Sequence, residues 1–196
     1  MKKQIKVVIT GGPGGGKTTA LDLFRRELNE KVAVVPESAT VLFCGGIQRS
    51  NNKEVLKATQ KAIYQLQCNL EDIQEKANPE KLLICDRGTV DGLAYWPSSD
   101  EEFFELVDST FEEEMNKYDA VIFFETAASS GLDINSNNPI RNESDQQAID
   151  LDKRLQSIWS RHPNYHFVAS SESFIKKIML GIMTIENVIN QKNREE

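Results

Sequence analysis

A chain of 196 residues, 39% of them hydrophobic, is long enough to bury a real core and suits one α/β domain. Its formal net charge of −7 and sequence pI near 5.0 argue against a nucleic acid as the main partner, since such binders present a basic face. The three cysteines, Cys44, Cys68 and Cys85, are odd in number and widely spaced, which suits reduced thiols in a cytoplasm better than a disulfide framework.

The start Met1-Lys2-Lys3 followed by Ile5 to Ile9 has an apolar stretch too short for a signal peptide. No run reaches the roughly 18 apolar residues of a membrane helix, so no integral membrane association is expected. The run Ile5 to Thr10 instead predicts a first strand. It leads into Gly11, Gly12, Pro13, Gly14, Gly15, Gly16, Lys17, Thr18 and Thr19, and then into helix-forming Ala20-Leu21-Asp22-Leu23. Gly11, four residues, then Gly16-Lys17-Thr18 is a Walker A loop in the strand, loop, helix context it requires. Its backbone N–H groups would cradle phosphates, Lys17 would reach the β- and γ-phosphates, and the Thr18 hydroxyl would hold Mg2+. The positive end of the first helix adds to this. A Rossmann fingerprint fails because its third glycine position is Lys17. The ligand expected is therefore ATP or GTP.

Val32 to Val35 reads as a second strand ending at Pro36-Glu37, and Leu82 to Cys85 as a third ending at Asp86-Arg87-Gly88. Between them Val55, Thr59, Ala62, Ile63, Leu66, Leu70 and Ile73 recur at helical spacing and predict a core-facing stripe, which Asn78-Pro79 ends. Phe103, Phe104, Val107, Phe111 and Met115 predict one further helix. Asn116-Lys117-Tyr118-Asp119 spells a guanine-reading motif but precedes a strand instead of following one, so it is set aside.

Ala120 to Phe124 is a fourth strand. Thr126 to Arg141 is polar and long for a loop, and reads as a mobile lid (126–145) that would bring Arg141, with Arg154, onto transferring charge. Ser144 and Gln147 suit a capping box for a helix carrying Ala148, Leu151, Leu155 and Ile158. Tyr165 to Val168 is a fifth strand. His162 and His166 are four apart, but Pro163 breaks the helix that would align them, so zinc is not expected. Phe174, Ile178, Ile182, Ile185 and Ile189 predict a last helix, with 191–196 as a fraying tail and 1–190 as one domain. Five apolar runs alternating with helical patterns indicate a parallel sheet wrapped by helices.

Ligands of open parallel sheets bind beyond the carboxyl ends of the strands, so Glu37, Asp86 and Glu125 are candidates by position. Phosphoryl transfer needs magnesium, cations over the migrating group and a carboxylate for the acceptor hydroxyl. Asp86 fits a Walker B acid, Arg87 a planar fork for phosphate or acceptor oxygens, and Glu37 an acceptor base. Pro36-Glu37-Ser38 equally suits the first turn of a helix, and Asp86-Arg87 a local ion pair. Asp91 is a further, weaker candidate.

The wording of Gly11 to Thr19, Val35-Pro36-Glu37-Ser38-Ala39-Thr40, Ile84 to Gly88 with Asp91 to Trp96, Asn138 to Arg141, and Trp159 with His162-Pro163-Asn164 resembles one family nearly end to end. It is the AAA-type P-loop family that groups the ribosylnicotinamide-kinase domain of NadR with translocation-defect (Ttd) proteins. The resemblance implies a P-loop NTPase three-layer α/β sandwich like that of nucleoside and nucleotide kinases, with a five-stranded parallel sheet ordered 2-3-1-4-5 and an arginine-bearing lid. It also matches Asp86-Arg87 to the acid-arginine pair of deoxynucleoside kinases and Glu37 to their strand-two glutamate. Gly88 departs from the serine that many of those kinases carry, which leaves the acceptor open. Two expectations follow. One is a Mg2+-dependent kinase moving the γ-phosphate of ATP or GTP to a small nucleoside-like or nucleotide-like acceptor. The other is a nucleotide-dependent module for a protein or phosphoinositide partner, a function associated with the Ttd branch.

Overall fold

The computed structural model describes residues 4–130, 145–170 and 173–192. The five apolar runs are five parallel strands: β1 (Lys6–Thr10), β2 (Val32–Val35), β3 (Leu82–Asp86), β4 (Ala120–Phe124) and β5 (Tyr165–Val168), in the order β2-β3-β1-β4-β5. Strand β1 is central, with Ile9 opposite Asp86 on one side and Ile122 on the other. Its Val7, Val8 and Ile9 are fully buried. Helices cover both faces of the sheet, which is why these strands read as continuous apolar runs and do not alternate.

One face carries Val8, Leu83, Cys85, Val121 and Phe123 against Trp159 and Leu155 of α6 (Asp145–Trp159) and against Val90 and Leu93 of the short 3-10 helix Thr89–Tyr95. The other carries Val7, Ile9, Ile84, Ile122 and Phe124 against α1 (Lys17–Leu28) and α7 (Phe174–Lys192). Those two helices approach so closely that a Cβ on Gly181 would lie 2.3 Å from the Phe24 ring. Each large aliphatic side chain buried here contributes about 1.5–3 kcal/mol. Cys44, Cys68 and Cys85 are free thiols. Among the described residues no helix is long and apolar enough to cross a membrane.

Three helical expectations need correction. Helix α3 (Lys53–Ala77) turns its apolar stripe only partly inward: Leu70 packs against the core, but Val55 is 43% and Ile73 56% exposed, and the buried residues are Gln60, Tyr64, Gln67 and Glu71. Those polar groups face inward because most of them have buried partners. Tyr64 donates to Glu114, Gln67 to Glu71 and the Arg87 carbonyl, and Tyr118 donates to Glu71. The stripe from Phe103 to Met115 is two helices, α4 (Asp100–Val107) and α5 (Phe111–Met115). Asp108, at φ 53, ends the first, and Thr110 caps the second by a reciprocal bond with Glu113. Helix α7 continues to Lys192, two residues into the expected tail. Ser144, the proposed cap of α6, lies outside the described residues, as do 131–144 of the lid segment; Ala127–Ser130 before them form a 3-10 turn.

Candidate functional site

The phosphate loop is held open by contacts that only glycine permits. At Gly11, φ is 130 and a Cβ would lie 1.9 Å from the Phe124 carbonyl at the end of β4. Gly16, at φ 85, turns the chain into α1, and no side chain caps that helix. Its first-turn N–H groups are thus left for an anion, and no acidic residue sits in that turn. Lys17 is buried at 3% exposure and donates from Nζ to the carbonyls of Gly11 (2.8 Å) and Gly12 (2.6 Å), so its charge stays at the loop. Thr18 and Thr19 are exposed at the mouth.

Asp86 closes β3 beside the loop. Burial and the neighbouring Glu37 carboxylate raise its pKa to about 6, against the opposing pull of Arg87 and Lys17. The next residue takes the left-handed conformation, Arg87 at φ 76, while its N–H still donates to the Ile9 carbonyl. That turn sends the guanidinium between two regions. Its Nη1 donates to the Gly11 carbonyl (2.7 Å) and to Asp91 (3.1 Å), and its Nε to Glu37 (3.2 Å). Burial opposes its charge, yet the surrounding Tyr95, Asp91, Glu37 and Asp86 raise its pKa. Glu37 stands at the helix start, as the N-cap residue of α2 (Ser38–Cys44), and its carboxylate meets Arg87 and the Thr40 hydroxyl.

Beyond Arg87 opens a pocket of about 390 Å³ between α2, α3, the 89–95 helix and α6, with Glu37, Arg87, Gln60, Phe43 and Tyr95 in its wall. A volume in this range is that of a small-molecule site. A family model described as AAA domain matches residues 6–175, from the first strand to the start of the last helix. The chain belongs to the AAA domain family. None of the curated proteins matches the sequence. Membership with this loop makes the AAA domain a P-loop nucleotide-binding protein, in which Arg87 is both bonded to the loop and part of the pocket wall.

Several residues of this AAA domain take other parts than their sequence positions indicated. Asp91 accepts from Thr10, Arg87, Gly88 and the Trp159 indole, so it anchors Arg87. The Glu125 carboxylate turns away to the Ser170 N–H at 2.5 Å. Arg154 donates to the carbonyls of Leu93 and Trp96 and so closes the end of the 89–95 helix; it does not stand over the phosphate loop. Arg141 lies outside the described residues. Asp119 accepts from the Lys6 N–H and Lys117 pairs with Glu114, which accounts for the guanine-motif look-alike as structure. His162 bonds the Tyr118 carbonyl and the Asn164 N–H.

Sequence reasoning missed Asp152. It is 4% exposed and accepts the N–H groups of Gly12 (2.6 Å) and Thr126 (3.1 Å), tying α6 to the phosphate loop. Burial raises its pKa, and those two N–H groups hold it down. The signal was available, since Asp152 stands on the buried face of α6 between Ala148 and Leu155.

Proposed function

We propose that this AAA domain is a magnesium-dependent kinase that moves the γ-phosphate of ATP or GTP to a small nucleoside-like or nucleotide-like acceptor. The observation that carries the proposal is Arg87, whose single guanidinium bonds the first glycine of the phosphate loop and lines the acceptor-sized pocket together with Glu37. A nucleotide sensor needs the loop but has no use for a carboxylate and an arginine at the wall of a second cavity.

In this scheme the acceptor hydroxyl lies in the pocket against Glu37. Glu37 takes its proton as the oxygen attacks the γ-phosphorus and the bond to the β-phosphate oxygen breaks, releasing the nucleoside diphosphate. Lys17 and Arg87, which both donate to the Gly11 carbonyl, would hold the migrating charge. Thr18 and Asp86 are a hydroxyl and a carboxylate, hard oxygen donors of the kind that suit Mg2+. Bound there, magnesium would neutralise phosphate charge. The test is purified protein with MgATP or MgGTP against nucleosides, nucleoside monophosphates, nicotinamide riboside and phosphoinositide headgroups. Phosphorylated nucleoside-type product is the expected result. Tight nucleotide binding without product from any acceptor would favour the sensor instead.

A further inference from the structure

Helix α7 buries one face and leaves the opposite one apolar as well. Inward, Ile178, Ile185 and Val188 sit in the core beside α1, and Gly181 lies against the Phe24 ring. Outward, Ile175, Met179, Leu180 and Met183 stand between 41% and 71% exposed. At about 100° per residue these four fall within an arc of about 140°, so they form one patch of roughly 400 Å² and are not scattered. A surface helix turns a polar face to water, and a helix that is apolar on both faces is one that a second surface covers. The pocket beside Arg87 draws no lining residue from α7, so the candidate site does not account for this face.

The charges on the same face identify what covers it. Lys176 and Glu186 are exposed and flank the two methionines, one towards each end of the helix. They lie about 15 Å apart along the axis. The midpoint of Lys176 and Glu186 falls at Gly181, and so does the midpoint of Met179 and Met183. An identical helix laid antiparallel about a two-fold axis at that level therefore sets Met179 of each copy on Met183 of the other, and Lys176 of each against Glu186 of the other. One patch thus supplies both halves of an isologous contact. A parallel copy would instead set Lys176 against Lys176. The chain as a whole carries a net charge of −7, which pushes copies apart, but on this face the lysine and the glutamate cancel. Two copies would remove about 800 Å² of apolar side chain from water. With a polar rim around it, such a contact reaches the lower part of the roughly 1,200–2,000 Å² that stable interfaces bury.

We infer that the outer face of α7 is a homodimer interface, across which a second copy of this chain packs antiparallel with Met179 and Met183 at the centre. The inference holds whether or not the domain transfers phosphate. The experiment is sedimentation equilibrium of the full chain from about 0.5 to about 200 µM, where a dimer with Kd at or below about 10 µM is expected. Met179→Lys and Met183→Glu should each raise that constant at least about 100-fold, because each sets a charge on apolar side chains. Mixed in equal amounts, the two variants should form a heterodimer, since the introduced ammonium then meets the introduced carboxylate at one crossing while methionine meets methionine at the other. Lys176→Glu and Glu186→Lys should each weaken the dimer about fivefold or more, and the double variant should return it to within about twofold of the unsubstituted chain. Every variant should bind MgATP or MgGTP within about twofold of the unsubstituted chain, which shows that the fold stands. An unsubstituted chain that stays monomeric at about 200 µM, including one that binds phospholipid vesicles through this face instead, would overturn the inference. So would a dimer that Met179→Lys and Met183→Glu leave untouched, a mixture of those two that stays monomeric, or charge reversals that the double variant does not rescue.

Discussion

Gly88 departs from the serine expected after an acid-arginine pair, and the structure gives a steric reason that can be measured. Its backbone is ordinary at φ −112, so conformational freedom is not what requires glycine. A Cβ there would stand 2.5 Å from two carbons of the Trp159 ring and 3.2 Å from Val8 Cγ2. The ring contacts are roughly 1 Å inside the ~3.5 Å optimum for carbon pairs. Trp159 is fully buried and its indole N–H is committed to Asp91 at 2.7 Å, so it has little room to retreat. Overpacking of this kind costs about 1–3 kcal/mol. We therefore expect Gly88→Ala and Gly88→Ser to lower unfolding stability in urea by about 2 kcal/mol, the serine variant at least as much. Because Asp91 also holds Arg87, both should weaken any transfer activity beyond the loss of folded protein. The decisive form is a double-mutant cycle. In a Trp159→Leu background, itself destabilised, Gly88→Ala should cost less than about 0.5 kcal/mol, giving a coupling above ~1 kcal/mol. An unchanged urea midpoint for Gly88→Ala, or additive effects with Trp159→Leu, would refute the steric account.

Glu37→Ala should lower γ-phosphate transfer by about 10²-fold or more while leaving nucleotide affinity nearly intact, measured by product formation beside nucleotide titration. Full turnover would remove Glu37 from the chemistry. Asp86→Ala should abolish transfer. Asp152→Ala leaves the buried N–H groups of Gly12 and Thr126 without their carboxylate. It should destabilise the fold by about 3 kcal/mol and weaken triphosphate binding, whereas Asp152→Asn, which retains the acceptor oxygen, should recover most of both. Chelation of magnesium with EDTA should stop transfer and reversal by added Mg2+ should restore it; transfer that persists in EDTA would discard the roles of Thr18 and Asp86 in holding the ion.

The sheet was legible because of where it sits. With helices on both faces, the strands are drawn mainly from apolar residues, and the residues that follow β2 and β3, Glu37 and Arg87, line the pocket. The break after Val107 was legible too but was passed over: Thr110 with Glu113 is a capping box, and it outranked the apolar spacing that seemed to run on to Met115. Contacts made by Asp152 and Trp159 could not be read as pairings, since their partners, Gly12 and Asp91, are 140 and 68 residues away in the chain. What sequence does show is the odd placement itself, an acid on a buried helical face.

Helix α3 is the instructive failure, because its periodicity was real but pointed to a face that is only half-buried. Counting apolar residues assumes that the buried face is the apolar one. Here the inward face is a polar ladder from Gln60 through Tyr64 and Gln67 to Glu71, and its middle reaches the Arg87 carbonyl. From Glu71 it continues to Tyr118, whose hydroxyl accepts the Thr89 N–H two residues beyond that arginine. An arginine in a left-handed conformation, buried at 8% exposure between phosphate loop and pocket, must have its backbone held from behind. Buried hydrogen-bonding side chains do that where apolar ones would only fill volume. Leu70 still packs against the core, but two other apolar residues of α3, Leu56 and Ile63, line the pocket wall.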